Sequence, residues 1–214
     1  MLKIQKFVCN MFQENSYVVS DETKECVIVD CGAFYDNEKR AISDYITREG
    51  LVPKRLLATH GHIDHNYGNR FIYDTYGLQV EVSQADEWLM KRLAEQSMAF
   101  TGVRPSESFP AVGRYLNPND TITFGTHTIE IISTPGHTPG SVVYHIPGEH
   151  LMLSGDTLFH LSIGRTDFEG GSMMQMMQSL RSLAQLPDET TVLTGHGEDT
   201  TIGEELRVNP YMDR

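Results

Sequence analysis

Cysteine is scarce in this chain and confined to one end. Cys9, Cys26 and Cys31 are the only three in 214 residues. They are odd in number and lack zinc-finger spacing, so neither a disulfide framework nor a cysteine-built zinc module is expected. Long apolar runs are missing too: no stretch approaches the roughly 20 residues needed to cross a bilayer. The segment from Met1 to Cys9 alternates apolar and polar residues, without the uninterrupted apolar core of a signal peptide. Positive charge is also short. Seventeen Lys and Arg face 29 Asp and Glu, giving a formal net charge of −12. A nucleic-acid clamp needs a basic face to replace phosphate counterions, and this balance argues against one. The expectation is a cytoplasmic protein, monomeric or a small homo-oligomer, with no nucleic-acid or membrane partner. What is present, 39% hydrophobic and 21% charged residues, is the composition of a folded globular chain.

Strand-like alternation at Lys3–Val8 and Ser16–Ser20 precedes a buried-looking run Cys26–Val29, which ends in Asp30-Cys31-Gly32. Asp36–Glu49 reads as a helix closed by Gly50. A short apolar strand, Leu56-Leu57-Ala58, leads into the polar segment Thr59–Asn66 and a helix ending near Gly77. Gln79–Val82 alternates as a strand, and Ser83 with Asp86 and Glu87 predicts a capped helix reaching about Gln96. Phe100–Asp120, with three prolines, predicts a long loop. Strands resume at Thr121–Phe124, Thr128–Ile132, Ser141–Ile146 and Leu151–Leu153, the last two joined by a turn at Pro147–His150. A helix over Ser172–Leu186, a strand at Thr191–Leu193 and a short terminal helix complete the chain. No linker composition divides it. The pattern predicts one domain over 1–214 of the α/β (α+β) class, two strand-rich halves packed face to face with helices outside.

The segment Thr59-His60-Gly61-His62-Ile63-Asp64-His65 carries the chemistry. In an extended loop side chains alternate, so residues 60, 62 and 64 project to one side, and the turn into the next helix brings His65 round. Four metal-capable groups then converge on one point or two. Imidazole nitrogens and carboxylate oxygens suit a borderline divalent ion such as zinc. His137, Asp156 and His196 share a setting just past an apolar strand, and each follows a glycine that lets the backbone approach a crowded site.

The order H-x-H-x-D-H, then His137, Asp156 and His196, resembles the metallo-β-lactamase superfamily. Asp156-Thr157-Leu158-Phe159, Ile163-Gly164-Arg165-Thr166-Asp167-Phe168 and Gly195-His196-Gly197 resemble its short, single-domain glyoxalase II-like (hydroxyacylglutathione hydrolase-like) branch. That resemblance implies a four-layer αββα sandwich with two divalent metal ions at one edge of the sheets: zinc, with iron or a mixed iron–zinc pair as the alternative. His60, His62 and His137 would hold the first ion; Asp64, His65 and His196 the second; Asp156 would bridge. Asp30 matches the aspartate of an early Asp-Pro-Gly and would orient the metal loop without touching the metal. Cys31 stands where the family has proline. With 18 residues after His196, the helical C-terminal domain of full-length glyoxalase II enzymes is not expected here.

The expected reaction is hydrolysis of a small acyl thioester or ester by a hydroxide shared between the ions, steered by Asp64 and Asp156. Arg165 is the candidate for gripping a substrate carboxylate through two parallel hydrogen bonds, and a surface ion pair with Asp167 or Glu169 is its plainer role. His160 is a second candidate for the substrate pocket. Two alternatives remain open. One is a mononuclear-iron persulfide dioxygenase using His60, His137 and Asp156; the other is a non-enzymatic metal-binding scaffold. The methionine-rich run at 173–177 has helical spacing with Leu180, Leu183 and Ala184, which predicts a core-facing stripe and no metal role.

Overall fold

The computed structural model of the chain describes residues 2–106, 108–118 and 120–213. Six strands build the first sheet: β1 (Lys3–Cys9), β2 (Glu14–Ser20), β3 (Glu25–Val29), β4 (Val52–Leu57), β5 (Val80–Ser83) and β6 (Arg114–Leu116), hydrogen-bonded in that order. The second sheet contains β7 (Thr121–Phe124), β8 (His127–Ser133), β9 (Val142–Ile146) and β10 (Leu151–Gly155). A small hairpin follows, β11 (Leu158–Phe159) with β12 (Ser162–Ile163). Strands β13 (Thr191–Thr194) and β14 (Thr200–Thr201) complete the second sheet, whose order is β14-β13-β10-β9-β8-β7.

Alternation along these strands makes the layers. In β2 and β3, Val18, Cys26 and Ile28 face outward, where they pack with Ile42, Tyr45 and Ile46 of α1 (Asp36–Glu49) and Ile72 of α2 (Asn69–Tyr76). Their neighbours Tyr17, Val19, Val27 and Val29 face inward and meet Ile129, Ile131, Tyr144 and Leu153 of the second sheet. On that sheet's far side Val143, Met152 and Val192 pack with Met176, Leu180 and Leu183 of α5 (Met173–Leu183) and Ile202 of α6 (Ile202–Val208). Period-two alternation thus gives each sheet two buried faces, and the result is the expected αββα sandwich. Among the described residues no helix is long and apolar enough to cross a membrane.

Three details depart from the pattern predicted above. The helix expected over 83–96 is broken. A single 3-10 turn at Gln84–Asp86 leads into α3 (Glu87–Met90), and α4 (Leu93–Thr101) runs on past the expected end. Asp86 is the reason: its carboxylate turns inward to other loops instead of capping a helix. The loop expected over 100–120 contributes β6, which pairs parallel to β5 with Tyr115 opposite Val82. At three residues that strand is too short to show alternation. Within the methionine run Met176 is fully buried and Met177 partly so, but Met173 is 48% exposed at the first turn of α5.

Candidate metal centre

The polar loops at one end of both sheets come together. His60 and His62 follow the end of β4, and His65 closes a 3-10 turn at Ile63–His65. Asp156 follows β10, His196 follows β13, and His137 lies in the β8–β9 loop. Glycine makes the approach possible at Gly155, which has φ 47°: a Cβ there would sit 2.3 Å from the Thr59 hydroxyl. At Gly195 a Cβ would sit 2.4 Å from Asp156 Oδ1.

Ligand-capable atoms of His60, His62 and His137 lie within 4.8 Å of one another, and so do those of Asp64, His65 and His196. Asp156 reaches both groups. Its Oδ1 is 3.2 Å from His65 Nε2 and 3.6 Å from His196 Nε2, while Oδ2 is 3.5 Å from His137 Nε2. Asp64 Oδ2 lies 3.3 Å from His196 Nε2. All seven residues of the expected ligand set are therefore assembled in one place.

The outer contacts of the imidazoles decide which nitrogen each one offers inward. His137 Nδ1 donates to the Arg165 carbonyl at 2.7 Å, and His196 Nδ1 to the Phe12 carbonyl at 3.0 Å. Carbonyls only accept, so both rings carry a proton on Nδ1 and turn Nε2 inward as the nitrogen that could ligate. Asp30 does the same for His65, whose Nδ1 lies 2.9 Å from Oδ2. The Thr59 hydroxyl donates its one proton to that same Oδ2 at 2.8 Å, so it accepts from His60 Nδ1 at 3.1 Å. His60 Nε2, His65 Nε2 and Asp156 Oδ1 are buried with no hydrogen-bond partner. His62 Nδ1 and His137 Nε2 lie 2.8 Å apart; with His137 protonated on Nδ1, His62 Nδ1 donates to His137 Nε2. Buried, inward-facing ring nitrogens and a carboxylate oxygen of this kind fit divalent cations.

Electrostatics agree with that fit. Burial, reinforced by His65 and His137, holds His60 well below the ordinary imidazole value, so it is neutral and able to ligate. Burial works against the charged form of Asp156, but His65 and His196 override it and hold the carboxyl well below the usual range. For His65 burial is outweighed, and the carboxylates of Asp156, Asp64 and Asp30 raise it well above its ordinary value, so Nε2 carries a proton towards Asp156 that the ring would give up to ligate an ion.

The structure also shows supports that the residue pattern does not announce. Asp86, fully buried, accepts from Gly61 N at 2.8 Å, Gly140 N at 2.7 Å and Thr138 Oγ1 at 2.7 Å, tying the His60–His65 loop to the His137 loop. Glu14 lies behind His65, its Oε2 accepting from Ser16 at 2.7 Å, and burial pushes its carboxyl well up. Cys31, in place of the family's proline, donates its N–H to the His65 carbonyl at 2.9 Å, a bond that proline could not make. Asp30 itself accepts Thr59 N at 2.7 Å from a left-handed backbone, φ 49°.

A cavity of about 440 Å³ opens over Asp64, His137, Asp156 and His196. Arg165 borders it, but its Nε and Nη2 each bond Asp167 at 2.7 Å, so the side-on edge of its guanidinium is occupied within the chain. His160 is not among the residues bordering the cavity; its Nδ1 lies 3.7 Å from the buried Glu205.

Known proteins share this fold. The family model of the metallo-beta-lactamase superfamily matches residues 9–196. A hydroxyacylglutathione hydrolase, GloC of Haemophilus influenzae, is 31% identical, with 99% of each chain covered. The crystal structure of BLEG-1, a B3 metallo-beta-lactamase, superposes with a TM-score of 0.87 at 35% identity, covering 98% of this chain and 99% of that one. TTHA1623, solved in a di-iron-bound form, gives 0.86 at 31% identity, covering 97% of this chain and all of that one. With the ligand-capable residues assembled at one end of an αββα sandwich and a family match across nearly the whole chain, this protein belongs to the metallo-beta-lactamase superfamily.

Proposed function

We propose that the chain is a hydrolase of small acyl thioesters that works with two divalent ions, zinc in the first instance. His60, His62 and His137 would hold one ion, Asp64, His65 and His196 the other, with Asp156 between them. The observation that carries this reading is the set of inward-facing nitrogens: four rings have Nδ1 turned to an oxygen, leaving Nε2 of each aimed at the centre. Bound ions supply Lewis acidity and lower the pKa of water towards neutrality. The chain's own contribution is positional. Asp64 and Asp156 present carboxylate oxygens at the floor of the cavity, where they would orient the attacking water. No serine or cysteine nucleophile is needed, and the three cysteines are buried away from the cavity. GloC's name supports thioesters as the substrate class, while TTHA1623 makes iron the competing metal.

The test is hydrolysis of S-lactoylglutathione and of uncharged thioesters by metal-quantified protein, with Asp156→Ala as the control. Chelator-sensitive turnover that disappears, together with metal content, in Asp156→Ala is expected. Metal content and turnover both retained in Asp156→Ala would remove the bridging role. One bound iron, with oxygen uptake on a persulfide and no thioester hydrolysis, would replace the hydrolase with a dioxygenase.

A further inference from the structure

The wall of the cavity is unlike its floor. Phe12 from the β1–β2 turn, Phe100 from the end of α4, and Phe159, Ile163 and Phe168 from the segment after Asp156 stand around the carboxylates and imidazoles. Phe100 meets Phe12 edge-on at 6.5 Å and Phe168 at 5.6 Å, so three separated segments build one aromatic rim. Phe12 and Phe100 remain 38% and 47% exposed there. Leaving large aromatic rings in water at a cavity mouth is unfavourable unless a ligand covers them.

Charge on this wall is cancelled within the protein. Arg165 is the one cation among the lining residues; Asp167 takes its Nε and Nη2, and its guanidinium carbon lies 3.8 Å from the Phe168 ring centre. A second lobe of about 270 Å³ adjoins the first across Phe100 and Phe168 and includes Trp88, Leu89 and Ala99. The cation of that lobe, Arg92, is likewise bonded, to Glu95 at 3.0 Å and Glu169 at 3.1 Å.

We propose that the substrate carries an uncharged, apolar group beside the scissile carbonyl, a chain of about six carbons or a phenyl ring, which the Phe12–Phe100–Phe168 rim covers. The inference rests on the hydrolase reading above and narrows it: an apolar flank is selected over a carboxylate, because the positive charge of Arg165 is already matched by Asp167.

Two substrate series test this on the full-length, metal-loaded protein. In one the acyl group grows from acetyl through butanoyl and hexanoyl to phenylacetyl on the uncharged thiol N-acetylcysteamine. In the other an acetyl group is carried by thiols of growing apolar length. One series is expected to gain about threefold to fourfold in kcat/KM per buried methylene, and the series that rises assigns the rim to the acyl or the thiol side. Phe100→Ala and Phe12→Ala, both changes at exposed side chains, are expected to flatten that slope. Trp88 is the single tryptophan of the chain, so its fluorescence gives a second readout. A neutral hexanoyl ketone analogue should change it at concentrations where the acetyl analogue does not. Flat kcat/KM in both series with equal fluorescence responses would overturn the proposal and leave hydrolysis standing. No thioester turnover at full metal content would overturn the hydrolase reading instead, and the proposal with it.

Discussion

Asp30→Asn is expected to weaken metal binding by about 10- to 100-fold, although residue 30 touches no ion. The magnitude follows from what one carboxylate holds. Oδ2 accepts His65 Nδ1 at 2.9 Å and the Thr59 hydroxyl at 2.8 Å, and that hydroxyl fixes His60 Nδ1 at 3.1 Å. Oδ1 accepts Thr59 N at 2.7 Å. One carboxylate therefore sets the tautomer of a ring in each proposed ion site. All three of its partners donate, so an amide, with one oxygen and one NH₂, must set a donor against a donor. Outer partners of metal-bound histidines typically contribute 10–100-fold in affinity, about 1.4–2.7 kcal/mol. Asn is the right replacement because it tolerates the left-handed backbone at φ 49°, whereas a β-branched residue would add strain of its own. The assay is competition for zinc against a chromophoric chelator, with far-ultraviolet circular dichroism confirming the fold. An affinity within twofold of the parent, at unchanged stoichiometry, would refute the account of tautomer control.

Asp86→Ala leaves Gly61 N, Gly140 N and Thr138 Oγ1 without their shared acceptor in a dry interior. Each unsatisfied donor costs about 1–3 kcal/mol, partly offset by removing a carboxylate that burial already disfavours, so about 3 kcal/mol of stability should be lost. Urea unfolding of chelator-treated protein measures this, and a loss below about 1 kcal/mol would show that the two loops do not depend on Asp86. At the opposite end of the sandwich, His127 lies 2.9 Å from Glu149 and 3.1 Å from Asp21. Burial opposes its charge, but these hydrogen bonds raise its pKa above the ordinary imidazole value. A raised pKa gives stability that is complete below about pH 6.5 and is lost as pH rises through the folded-state value. Melting temperature should therefore fall over that interval more steeply in the parent than in His127→Gln; parallel curves would remove His127 as the cause.

The helix over Asp36–Glu49 and its left-handed Gly50 follow the predicted bounds, because helical spacing and a C-terminal glycine are local signals. Strands β2, β3, β9 and β10 likewise lie where the sequence places them, β2 by its alternation and β3 as an apolar run, since a strand buried on both faces reads as continuously apolar. Strand β6 does not show: three residues at a sheet edge are held by pairing with β5, not by any pattern of their own. The break before α4 was hidden for a similar reason. Asp86 beside Glu87 has the form of a helix cap, and only its distant partners, Gly61 and Gly140, reveal its use.

Residue types and spacing alone determined the metal-capable set, because ligand chemistry is carried by side-chain identity and the H-x-H-x-D-H run packs four candidates into six positions. Tertiary structure alone decided which nitrogen each histidine offers, since that depends on carbonyls of Phe12 and Arg165 far away in the chain. It also decided that Arg165 is engaged by Asp167 and that His160 faces Glu205 instead of the cavity. A sequence lists the donors and acceptors; which of them remain free is fixed only when the fold has paired the rest.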